Sequence, residues 1–66
     1  MPKRYTSREL IKLAKKHGWV EVSVRGDHHN FKHENSRFIV TIAHPNKNVP
    51  VGTASDIVKK IRLEVK

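Results

Sequence analysis

A chain of 66 residues that lacks cysteine and carries 14 Lys and Arg against 6 Asp and Glu leaves room for one small domain, 1–66, with no disulfide and no CxxC-type metal framework. Its formal net charge of +8 calls for an anionic partner, nucleic acid first and an acidic protein second. No apolar run approaches the roughly 20 residues of a membrane span, and a cysteine-free chain suits a reducing cytoplasm.

Met1-Pro2-Lys3-Arg4-Tyr5 is basic and leads into an amphipathic pattern, not into the apolar region of a signal peptide. Thr6-Ser7-Arg8-Glu9 has the form of a capping box, with Thr6 as cap and Glu9 reaching back. Leu10, Ile11, Leu13 and Ala14 then make an apolar stripe, while Lys15, Lys16 and His17 complement a helix C-terminus that Gly18 ends. This predicts a helix over 7–17. From Trp19 to Arg25 the chain alternates, with Val20, Val22 and Val24 on one face and Glu21, Ser23 and Arg25 on the other, which predicts a strand. Gly26-Asp27 reads as a two-residue hairpin turn with glycine at positive φ.

Glu34-Asn35-Ser36 reads as a second hairpin loop, and Arg37 to Ile42 alternates again with Phe38, Val40 and Ile42 facing inward. Ala43 to Gly52 holds two of the three prolines and reads as a loop crossing the fold. Thr53-Ala54-Ser55-Asp56 has the form of another helix start, followed by the stripe Ile57, Val58 and Ile61. The predicted fold is α+β with order α-β-β-β-α. Two helices on one face of a three-stranded antiparallel sheet would bury both stripes and the inward Val and Phe residues, Val20, Val22 and Val24 among them.

The histidines are the chemistry-bearing feature. Three of five fall in Arg25-Gly26-Asp27-His28-His29-Asn30-Phe31-Lys32-His33. A two-residue turn pairs Arg25 with His28, Val24 with His29, Ser23 with Asn30 and Val22 with Phe31, and sets Glu21 opposite Lys32. His28 then shares the open face with Arg25, Asn30 and Lys32, whereas His29 and His33 point toward the helical layer. Imidazole exchanges protons near neutrality, and cations beside it can hold a phosphate, so this pattern points to acid–base chemistry on a phosphodiester. Asp27 can orient the imidazole. No ligand spacing for a metal is present, because adjacent strand histidines point to opposite faces. His17 reads as a helix-terminal cation, His44 as a loop residue before Pro45, and Trp19 as a packing anchor.

Ser7-Arg8-Glu9-Leu10, Gly18-Trp19 and the 25–33 segment, followed by Val40-Thr41-Ile42-Ala43-His44-Pro45 and Val49-Pro50-Val51-Gly52-Thr53, resemble the HicA toxins of bacterial and archaeal toxin–antitoxin pairs. Their signature is Gly-Ser-His-His-x-Phe-x-His, then a Thr-Val strand and a His-Pro loop. The likeness runs from about Ser7 to Arg62. It implies a fold like the double-stranded RNA-binding domain and a metal-independent mRNA endoribonuclease restrained by a HicB-type antitoxin. By position it assigns the catalytic histidine to His28, with His29 as second choice. Asp27 stands where the family has serine, and the tail Arg62-Leu63-Glu64-Val65-Lys66 lacks the family's Gln-Ala-Gly ending.

The mechanism expected from these residues has RNA across the open face, its backbone held by Arg25 and Lys32 with Asn30 as a hydrogen-bonding group. His28 acts as general base on a ribose 2′-OH, and His29, Lys32 or water protonates the leaving oxygen. No cofactor or metal is required. A non-catalytic RNA-binding module and a basic protein that docks an acidic partner are the competing readings. The first predicts that His28 is dispensable, the second that nucleic-acid affinity vanishes at moderate salt.

Overall fold

The computed structural model describes residues 4–62; Met1 to Lys3 and the tail residues Leu63 to Lys66 lie outside the described residues. The elements are α1 (Ser7–Lys16), β1 (Val20–Arg25), β2 (His28–Lys32), β3 (Val40–Ala43) and α2 (Val51–Ile61). The sheet is antiparallel with order β1-β2-β3. This is the α-β-β-β-α arrangement of a double-stranded RNA-binding-domain-like fold.

The start of α1 follows its local chemistry. Thr6 Oγ1 accepts from the Glu9 N–H at 3.1 Å while Glu9 Oε1 accepts from the Thr6 N–H at 2.9 Å, so two donors that the helix cannot satisfy are paired reciprocally. At the far end His17 donates from Nδ1 to the Leu13 carbonyl, and Gly18 turns the chain at φ +89°. A Cβ on Gly18 would lie 3.0 Å from His33 Nε2, and that ring is itself tilted against Trp19 with centroids 5.4 Å apart. Gly18→Ala is therefore expected to cost about 1–2 kcal/mol from the left-handed backbone alone, with the crowding added; urea unfolding measures it.

The core consists of Leu10 and Ala14 from α1, Trp19, Phe31 from β2, Val40 and Ile42 from β3, Val49, and Ala54, Ile57 and Ile61 from α2. The indole of Trp19 is buried, and its N–H donates to the Ile61 carbonyl at 2.9 Å, so burial leaves no orphaned polar atom. Trp19 is thus a packing anchor joining the end of α1 to the end of α2.

Three expectations from the sequence need correction. First, the hairpin register holds at Arg25↔His28, Val24↔His29 and Ser23↔Asn30, but a bulge at Val22 then shifts it, so Glu21 faces Phe31 and Val20 faces Lys32. Val22 does not oppose Phe31, and Glu21 does not oppose Lys32. The three valines are 62%, 52% and 47% exposed. Both helices pack over β3 and against each other, leaving β1 an uncovered edge, so its valines reflect β-branched strand preference and not burial. A bulge on such an edge also twists it away from pairing with other chains.

Second, β3 begins at Val40, and Phe38 is 64% exposed because it lies beyond the helical cover in the 33–39 connection. His33, predicted on the strand, lies just past β2 and packs on Trp19. Third, α2 starts at Val51 and not at the Thr53 box; its N-cap is Pro50, without a side-chain cap bond. The Val49 N–H donates to the Tyr5 carbonyl at 3.0 Å, which fixes the approach, and the ring-locked φ of −54° at Pro50 then launches the helix.

Candidate functional site

The site stands at the end of the sheet where β1 turns into β2. Gly26 takes φ +62° in the two-residue turn, so β2 begins at His28 directly across from Arg25. On the other side His28 pairs with Ala43 of β3. The imidazole is 62% exposed, and its Nδ1 lies 3.2 Å from Asp27 Oδ1. The carboxylate occupies one edge of the ring and leaves Nε2 on the opposite edge. Next to His28 a cleft of about 200 Å³ opens between β3 and the start of α2, with Thr41, Asn46, Pro50 and Thr53 among its walls.

Alternation along β2 puts Asn30 and Lys32 on the face of His28. Asn30 is held in a side-chain ladder across all three strands: its Nδ2 donates to Ser23 Oγ at 3.0 Å, and its Oδ1 accepts from Thr41 Oγ1 at 2.7 Å. One amide proton of Asn30 remains for a ligand. Arg25 and Lys32 are exposed, the first beside the turn and the second at the far end of β2.

His29 points the other way. Its side chain is 19% exposed, its Nδ1 donates to Glu21 Oε1 at 3.3 Å, and its ring meets His44 edge-on with centroids 5.2 Å apart. The bulge at Val22 brings Glu21 to this face. His29 is therefore separated from His28 by the thickness of the sheet, and the two do not form one catalytic pair. His33 is used in packing: its Nδ1 accepts from the Asn35 N–H at 2.9 Å. Among the described residues no group of three His, Cys, Asp or Glu could hold a metal ion.

Sequence reasoning missed a cluster around His44. His44 Nδ1 lies 2.7 Å from Ser7 Oγ, and Ser7 is 2% exposed. The Asn46 N–H donates to Ser7 Oγ at 2.8 Å, and the Ser7 N–H returns a bond to the Asn46 carbonyl at 2.8 Å. A separation of 37 residues between Ser7 and His44 leaves no local pattern to read. Burial of a serine at the first position of a helix, opposite a His-Pro loop, becomes visible only when the loop folds back.

No helix among the described residues is long and apolar enough to cross a membrane. No curated protein matches the chain. A family model described as the HicA toxin of bacterial toxin–antitoxin systems matches residues 7–63, from the first helical residue to just past α2. That span covers every element that builds the site, so this chain belongs to the HicA toxins, the ribonuclease toxins of toxin–antitoxin pairs, and has an antitoxin as partner.

Proposed function

We propose that residues 1–66 form one domain that acts in the cytoplasm as a metal-independent mRNA endoribonuclease, with His28 as its general base, and that a HicB-type antitoxin restrains it. The observation that carries this reading is the setting of His28, an exposed imidazole at a tight turn with a carboxylate on Nδ1 and Arg25 across the ladder. Asp27 orients the ring so that Nε2 meets the substrate. Nε2 takes the proton from a ribose 2′-OH, and the oxygen attacks the adjacent phosphorus. The bond to the 5′ oxygen breaks, leaving a 2′,3′-cyclic phosphate and a 5′-hydroxyl. Arg25 stabilises the charge that develops on the phosphorane, and Lys32 and the remaining amide proton of Asn30 hold the strand. With His29 on the far face of β2 and Lys32 at the far end of that strand, water protonates the leaving oxygen. No step requires a cofactor or a metal.

Incubation with a long single-stranded RNA in EDTA, beside DNA of the same sequence, tests this. The expected result is RNA cut to cyclic-phosphate ends and DNA left intact, because the nucleophile is the 2′-OH. RNA bound but never cut would instead support a non-catalytic RNA-binding module, with Asp27 beside His28 as the reason for lost activity. Cutting of both polymers would exclude the 2′-OH mechanism.

A further inference from the structure

We infer that the Ser7–His44 pair is a strut that positions the turn carrying His28, and that His44 is a positioning residue for the RNA-cleaving site. The inference rests on the assignment of His28 above. It starts from an otherwise unexplained cost: a serine 2% exposed and a half-buried histidine occupy a place where a small domain needs apolar contact.

The connections run in one direction. Ser7, held at the start of α1, contacts His44 Nδ1 at 2.7 Å and accepts from the Asn46 backbone at 2.8 Å. Both ends of the His44–Pro45–Asn46 loop are thereby tied to a helix that is itself capped and packed. The His44 N–H in turn donates to the Asp27 carbonyl at 2.8 Å. Asp27 is the second residue of the turn, and its carboxylate lies against His28 Nδ1. A rigid path therefore leads from α1 through His44 to the backbone of the residue that orients the candidate base.

A second support arrives from behind. The rings of His44 and His29 meet nearly at right angles, and Glu21 holds His29 from β1. His29 is the immediate neighbour of His28 on β2, so the packed far face fixes the strand whose near face carries the base. An isolated two-residue hairpin end would otherwise fray on the timescale of loop motion. Misplacement of a catalytic group by about 1 Å can cost roughly 10²-fold in rate. The His28 side chain, being exposed, has no packing of its own to prevent that.

The experiment uses His44→Ala, Ser7→Ala, His44→Asn and the remote control Trp19→Phe. Trp19→Phe removes the indole bond to Ile61 and so lowers stability without touching the strut. Initial rates on single-stranded RNA give kcat and KM, urea unfolding gives stability, and amide exchange at residue 44 reports the bond to Asp27. His44→Ala and Ser7→Ala are expected to lower kcat about 10- to 100-fold with KM nearly unchanged, and to speed exchange of the residue 44 amide. His44→Asn, which can place a polar atom near the former Nδ1, is expected to recover most of kcat. Trp19→Phe is expected to keep its kcat at equal or greater loss of stability. Unchanged kcat in both alanine variants overturns the inference, as does an equal fall in Trp19→Phe. If the wild-type protein cuts no RNA, the functional assignment fails first, and unaltered exchange at residue 44 in the alanine variants then removes the strut as well.

Discussion

His28→Ala is expected to reduce RNA cleavage by about 10²–10⁴-fold, the range that a positioned histidine contributes as general acid or base. Its imidazole is 62% exposed and belongs to no packed cluster, so the substitution is expected to shift stability by no more than about 0.5 kcal/mol. That separation makes the result interpretable: loss of rate without loss of fold identifies a chemical role. RNA affinity measured with the inactive variant is expected to stay near that of the wild type, because the proposed mechanism gives the phosphates to Arg25 and Lys32. His29→Ala is the informative comparison. His29 is mostly covered and bound to Glu21, so its loss registers first in stability. Equal cleavage by wild-type and His28→Ala protein would remove His28 from the chemistry.

Phe31→Ala is expected to unfold the protein. Phe31 is fully buried, faces the helices from the central strand, and lies in one cluster with Leu10, Trp19, Val40 and Ile61. Truncation of a buried Phe costs about 3–5 kcal/mol. A domain of this size holds only about 5 kcal/mol in total, since little of its chain is deeply covered. Circular dichroism and urea titration at 25 °C should show a largely unfolded population. Val22→Ala on the exposed edge strand should by contrast cost little. A cooperative transition for Phe31→Ala with a loss under about 1 kcal/mol would contradict the core described above.

The two substitutions divide the hairpin between its functions. His28 and Phe31 are three residues apart on one short strand and point to opposite faces, so one is free for substrate while the other anchors the sheet. The strut behind His28 belongs to the anchoring side. Polar groups there trade some burial energy for a defined position of the turn.

Much of this was legible in the chain because the signals are local. The capping box at Thr6 and Glu9, the basic last turn of α1, the glycine turn and the alternation after it act over two to four residues. Their backbone consequences do not depend on what lies across the fold. The pairing of Arg25 with His28, and with it the open-face position of His28, followed from the turn length alone. Tertiary structure decided the rest. The alternation of Val20, Val22 and Val24 announces a strand but does not say whether a helix covers it; the helices sit over β3, and the valines remain in solvent. The bulge that moves Glu21 to His29 depends on a side-chain partner eight residues away. The start of α2 depends on the bridge between Tyr5 and Val49, and the Ser7–His44 contact joins residues 37 positions apart. Short-range sterics and hydrogen bonding thus determine which elements form and in what order. Coverage, register beyond the turn, and the support behind the candidate base arise only when distant segments compete for the same buried space.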